Sequence, residues 1–143
     1  MEKALDLAHK AEAAGEVPVG AVLVKDDQLI AEGWNQPITS HDATSHAEIM
    51  AMREAGKKLK NYRLIGTVMY VSLEPCSMCV GAMIHARVSK VVYGAPEPRT
   101  GALGGAFKLL EANQHNHVFD VVSGVLADES KSMLQNFFQL RRK

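Results

Sequence analysis

Net charge is missing from this sequence: Lys plus Arg and Asp plus Glu number 16 each. A protein that holds polyanions by bulk charge needs an excess of one sign, so any nucleic-acid contact here has to come from a local patch. Cysteine is scarce. The only two, Cys76 and Cys79, cannot build a disulfide framework, and an intracellular Cys-x-x-Cys pair is more often metal-binding or redox-active. Long apolar runs are also lacking. Glu2, Lys3, Asp6, His9, Lys10 and Glu12 leave no room for a signal-peptide core, and no later stretch approaches membrane-spanning length. The expectation is a cytoplasmic protein with no membrane partner. Repeats, low-complexity tracts and linkers are absent too, so the 143 residues are expected to form one domain, residues 1–143.

What is present alternates between helical and strand patterns. Ala4, Leu7, Ala8, Ala11 and Ala14 recur at helical spacing and predict a first helix ending near Gly15. Val17 to Val24 and Leu29 to Trp34 read as two strands of a hairpin, joined by Lys25-Asp26-Asp27-Gln28. Asn35-Gln36-Pro37 breaks the second strand, and Ile38 to Thr44 reads as a polar loop. A second helix is predicted from about Ser45, with Gly56 as its C-cap followed by Lys57 and Lys58. Thr67 to Leu73 is a third strand, Cys76 to His85 a third helix opened by Pro75, Ser89 to Tyr93 a fourth strand and Val118 to Val122 a fifth. Ala95 to Gly105 is loop, and a last helix runs from about Leu126. Helices alternating with strands after an initial hairpin predict an α/β fold, a mixed sheet covered by helices on both faces.

The chemistry concentrates in His46-Ala47-Glu48 and Pro75-Cys76-Ser77-Met78-Cys79. Two thiolates and an imidazole suit a tetrahedral zinc, and three protein ligands leave one position open, as in catalytic sites. The order His-x-Glu then Pro-Cys-x-x-Cys is also a known signature of zinc-dependent base deaminases. A thioredoxin-like redox pair is the main rival, but it leaves His46 and Glu48 unused. A closed structural zinc needs a fourth ligand. His85 lies nine residues after Cys76 and points to the opposite helix face, as a core or interface histidine would, whereas His41 in its loop stays possible. His9, His115 and His117 read as exposed polar positions. Glu48 has two readings: partner of Ser45 in a capping box, or general acid/base beside the metal, about 200° around the helix from His46 and so not a co-ligand. Zinc-activated water with a carboxylate shuttling protons would replace the amino group of an amidine-like ring carbon by a carbonyl and release ammonia.

The run from Leu73 to Arg87, with Val17-Pro18-Val19-Gly20-Ala21-Val22, Gly33-Trp34-Asn35, Asn61-Tyr62-Arg63-Leu64 and the terminal Phe137 to Arg142, resembles the bacterial tRNA-specific adenosine deaminases, a branch of the cytidine-deaminase-like zinc deaminases. The resemblance covers essentially the whole chain. It implies a three-layer α/β/α fold with a central five-stranded mixed sheet, its last two strands parallel, and a homodimer. By motif position it implies one zinc per chain on His46, Cys76 and Cys79, proton shuttling by Glu48, and Asn35 on the flipped base. The implied substrate is the wobble adenosine of a tRNA anticodon stem-loop, attacked at C6 by zinc-bound hydroxide and converted to inosine.

Glu97, where some members place aspartate, lies in the Ala95–Gly105 loop and is a substrate-contact candidate. On the last helix Phe138, Arg141 and Arg142, with Lys131 and Lys143, form a candidate RNA patch in which one phenylalanine packs inward and its neighbour faces out. Two other functions remain open: deamination of a free base or nucleoside of guanine or cytidine type, and a zinc-stabilised binding module without turnover.

Overall fold

The computed structural model describes residues 1–112 and 114–142. Five strands form one sheet in the order β2-β1-β3-β4-β5, comprising β1 (Gly20–Lys25), β2 (Gln28–Trp34), β3 (Thr67–Leu73), β4 (Lys90–Ala95) and β5 (Asp120–Val122). β1 runs antiparallel to β2 and β3, while β3–β4 and β4–β5 are parallel. Asp26 and Asp27 both take positive φ in the hairpin, the conformation that suits the twist of the paired strands. α1 (Glu2–Ala13) and α5 (Ala127–Arg141) lie on one face; α3 (Ala47–Leu59) and α4 (Ser77–Ala86) lie on the other. The architecture is the expected three-layer α/β/α with a five-stranded mixed sheet.

The larger core sits between the sheet and the α3–α4 layer. It joins Ala21, Leu23, Met69, Val71 and Val91 to Ala47, Ala51, Val80 and Met83. Small residues on α3 let it approach the sheet closely. Gly33 of β2 completes that contact, because a Cβ there would stand 2.1 Å from the Ala47 carbonyl oxygen and 2.6 Å from the Ala51 nitrogen. On the opposite face Leu5 and Ala8 of α1 meet Met133 of α5.

Several boundaries differ from expectation. β1 starts at Gly20, not Val17, since Pro18 has no N–H and the Val19 amide turns back to the Val17 carbonyl at 2.9 Å. The segment expected as loop contains a short helix, α2 (Pro37–Ser40), with proline at its start. α3 begins after His46, and it passes through Gly56 to end at Lys60 in the left-handed region, so Gly56 is not the cap. β4 shifts to Lys90–Ala95. β5 keeps only Asp120–Val122, after Phe119 turns into the core. No described helix is long and apolar enough to cross a membrane.

Candidate active site

Two of the sequence-derived donors occupy equivalent places. His46 is the N-cap of α3 and Cys76 the N-cap of α4, both with extended backbone, and Cys79 lies in the first turn of α4. Cys76 is thus outside the helix expected to contain it. Two helix N-termini converge on the thiols, and the exposed amide ends of a helix favour negative charge. His46 Nδ1 lies 3.6 Å from Cys76 Sγ and 3.6 Å from Cys79 Sγ. A tetrahedral zinc with Zn–S of about 2.3 Å and Zn–N of about 2.05 Å separates neighbouring sulfur and nitrogen donors by about 3.6 Å. The spacing and chemistry of the donor set therefore fit zinc. These three are the only described residues whose donor atoms form such a cluster, all within 4.8 Å of one another. His41 and His85 do not join it. His85 is exposed rather than in the core.

Electrostatics couples these groups. A hydrogen bond from Cys79 draws Cys76 down to about 4 despite burial, assisted by His46 and the Cys79 amide. The same contact, with burial and the nearby Glu48 carboxylate, pushes Cys79 up. His46 is raised, first by its bond to Cys76 and then by the charges of Glu48 and Cys76, against its burial.

Glu48 lies outside the three-atom cluster but against it. Its side chain is 4 % exposed. Burial pushes its carboxyl up to about 7, opposed by its own backbone amide, by His46 and by the Cys79 thiol. The capping-box alternative is not formed: the N-cap is His46, and the Ser45 hydroxyl pairs with the Ser40 hydroxyl at 2.9 Å. A buried carboxyl titrating near neutrality, beside thiol donors and outside the donor set, has the properties of a proton carrier.

Asn35 follows β2, half-buried, and its amide donates to the Val19 carbonyl at 3.0 Å. The next amide, Gln36, donates to the Ser45 carbonyl at 2.9 Å. Asn35 and His46 therefore flank a loop whose ends are bonded to each other. Inside it, the carboxylate of Glu16 accepts the amides of Ile38 at 3.2 Å and Thr39 at 2.6 Å, plus the Thr39 hydroxyl at 2.6 Å. Burial would raise Glu16, but these donors outweigh it and hold the carboxyl below its ordinary range. Sequence reasoning missed Glu16, and it missed Glu74. Both are buried carboxylates whose partners are backbone amides more than twenty residues away.

The remaining candidates are dispersed. Glu97 is half-buried, its carboxylate accepting the Arg99 amide at 2.9 Å. On α5, Phe137 is buried and Phe138 is 44 % exposed, edge-on to it at 5.3 Å, in the inward–outward arrangement expected. Arg141 stands 3.7 Å over the Phe137 ring and donates to the Gly15 carbonyl at 3.2 Å, so it fastens α5 to the α1–β1 corner. Arg142 and Lys131 are exposed; Lys143 lies outside the described residues. His115 and His117 are half-buried rather than exposed, each ring bonded to a carbonyl, that of Leu109 or Val88.

Against known proteins, residues 1–95 match the model of the cytidine and deoxycytidylate deaminase zinc-binding region. The whole chain aligns with 83% of a tRNA-specific adenosine deaminase of Haemophilus influenzae at 51% identity. It also aligns over its full length with 89% of the Bacillus subtilis enzyme of the same name, at 46% identity. A solved structure from a study of A-to-I editing by tRNA:A34 deaminases superposes with a TM-score of 0.92 at 41% identity, covering 94% of this chain and 97% of that one. With the zinc-compatible donor set in place, these matches identify the family: the chain belongs to the tRNA-specific adenosine deaminases, within the cytidine and deoxycytidylate deaminase zinc-binding family.

Proposed function

We propose that residues 1–143 act as one catalytic domain that hydrolyses adenosine to inosine at the wobble position of a tRNA anticodon. The observation that carries this reading is the donor triad with Nδ1 equidistant from both sulfurs and the buried Glu48 against it. Its setting is a chain 51% identical over its full length to a tRNA-specific adenosine deaminase. His46, Cys76 and Cys79 would hold one zinc per chain. Zinc so bound supplies Lewis acidity, which makes water a competent nucleophile at neutral pH.

The protein's own contribution is proton transfer and positioning. Glu48 takes one proton from the attacking water and delivers it to the ring nitrogen next to C6; it then takes the remaining hydroxyl proton from the oxygen on C6 and passes it to the departing amine, leaving a carbonyl. Oxygen becomes bonded to C6, the C6–N bond breaks, and ammonia leaves; no redox partner is needed. A carboxyl can accept a proton and return it, so one residue serves both directions. Asn35, as both donor and acceptor, holds the edge of the extruded purine.

The direct test is ammonia release and inosine formation from an anticodon stem-loop, compared with free adenosine, cytidine and guanine. Preference for the stem-loop supports the proposal. Equal or better turnover of a free base or nucleoside overturns it, and no turnover at all favours the binding-module alternative. Asn35→Ala should lower kcat/KM on the stem-loop by about tenfold or more, the worth of a bidentate base contact, with zinc content unchanged. Unaltered kcat/KM would demote Asn35 to a turn residue.

RNA contact is assigned to Phe138 and Arg142 rather than to Arg141, whose guanidinium is engaged within the protein. The double substitution Phe138→Ala with Arg142→Ala leaves Phe137 and Arg141 in place. Loss of one stacking surface should raise KM for the stem-loop by about tenfold, and loss of a cation should make binding less salt-dependent. An unchanged KM and salt slope would remove α5 from the RNA interface.

A homodimer and cytoplasmic residence complete the reading. The homodimer is what the family resemblance implies; a monomeric mass by sedimentation would overturn it.

A further inference from the structure

The loop after β4 is wound around a single buried side chain. Glu74, between β3 and Pro75, is 3 % exposed. Its carboxylate accepts three backbone amides: Glu97 at 2.9 Å, Leu103 at 2.9 Å and Gly105 at 2.8 Å. No lysine, arginine or histidine pairs with it among the described residues. The backbone closes on the carboxylate so tightly that side chains are excluded. A Cβ on Gly101 would lie 2.4 Å from the Glu74 carboxyl carbon, and one on Gly105 would lie 2.4 Å from Oε1 and 2.3 Å from the Glu97 carbonyl oxygen.

The same loop is fastened to the donor segment at three successive residues. The Glu74 amide donates to the Ala95 carbonyl at 2.8 Å, the Ala102 amide donates to the Pro75 carbonyl at 2.9 Å, and Cys76 forms a β-bridge with Gly101. A carboxylate that gathers amides eight residues apart, beside a thiol of the donor cluster, fixes the shape of the loop and its distance from that cluster together. We infer that Glu74 is a positioning residue for this reaction: by holding the loop from Glu97 to Gly105 against the Cys76 end of α4, it sets where the RNA rests relative to the reacting centre. This inference rests on the RNA-editing reading above. It assigns Glu74 no contact with the reacting atoms.

Glu74→Gln tests it with little change of volume. The amide can present its oxygen to Leu103 and Gly105, but its NH2 then faces the Glu97 amide, donor against donor. In the zinc-loaded variant, the amides of Glu97, Leu103 and Gly105 should exchange with solvent at least about tenfold faster than in wild type. On an anticodon stem-loop KM should rise about tenfold while kcat stays within about threefold, the split expected when placement is lost and chemistry is not. Gly105→Ala, which keeps Glu74 but drives a methyl group into its carboxylate, should reproduce that split and decides the matter if Glu74→Gln does not fold.

Faster exchange with KM unchanged would reduce Glu74 to a structural role and overturn the inference. So would unchanged exchange, or loss of zinc from Glu74→Gln. If the wild-type protein itself edits no stem-loop, it is the functional reading that fails, and the exchange measurement still decides whether Glu74 holds the loop.

Discussion

Glu48→Gln should give a folded, zinc-loaded protein that scarcely turns over. Glutamine matches the shape of glutamate but cannot accept a proton from water and return it. General acid/base steps are worth roughly 10²–10⁴-fold, and this residue is assigned more than one of them, so kcat should fall by at least that factor. Stability should be unchanged or slightly higher. A carboxyl that burial pushes up to about 7 gives up little when exchanged for a neutral amide. Inosine formation, zinc by elemental analysis and the thermal midpoint together decide it. A kcat within tenfold of wild type would mean another group carries the protons.

Removing a sulfur should be as severe by a different route. Cys79 is fully buried, and Cys79→Ala leaves one thiol and one imidazole. Changes to groups that merely support metal ligands already cost about 10–100-fold, so loss of a ligand should cost more than hundredfold in activity and zinc retention alike. Wild type stripped by a chelator should lose activity and regain it with added zinc; Cys79→Ala should not recover. Full activity in the stripped wild type would remove the metal from the chemistry.

The chemistry was more legible in the sequence than the frame around it. His46, Cys76 and Cys79 could be grouped from residue type and spacing, because Cys-x-x-Cys and His-x-Glu are local patterns; the fold then sets His46 and Cys76 at two helix N-caps, with Cys79 in the first turn of α4. The strands of the hairpin and Thr67–Leu73 were visible for the same reason, as periodicity is local. What escaped was set by partners far along the chain. α2 is too short to show a period, and its first amides are satisfied by Glu16, more than twenty residues earlier. Gly56 looked like a stop, yet the helix continues and Lys60 takes the left-handed conformation instead. Glu74 gives no local sign at all, since its meaning comes from amides on a loop that follows another strand. Arg141 reads from the sequence as one cation of a candidate RNA patch; its contacts with Phe137 and Gly15 exist only after folding.

The sheet order also has a consequence for biosynthesis. By residue 79 the emerging chain already contains β2, β1 and β3, the three neighbouring antiparallel strands, together with α3 and all three donor atoms. The parallel strands β4 and β5 come later, and each parallel pairing needs a longer crossover than a hairpin does. Holding His46 to the two thiols closes a loop of about thirty residues at an entropic cost that grows only slowly with length. A nascent chain could therefore capture its ion on the antiparallel half of the sheet, leaving the C-terminal strands and α5 to dock afterwards onto a surface already cross-linked.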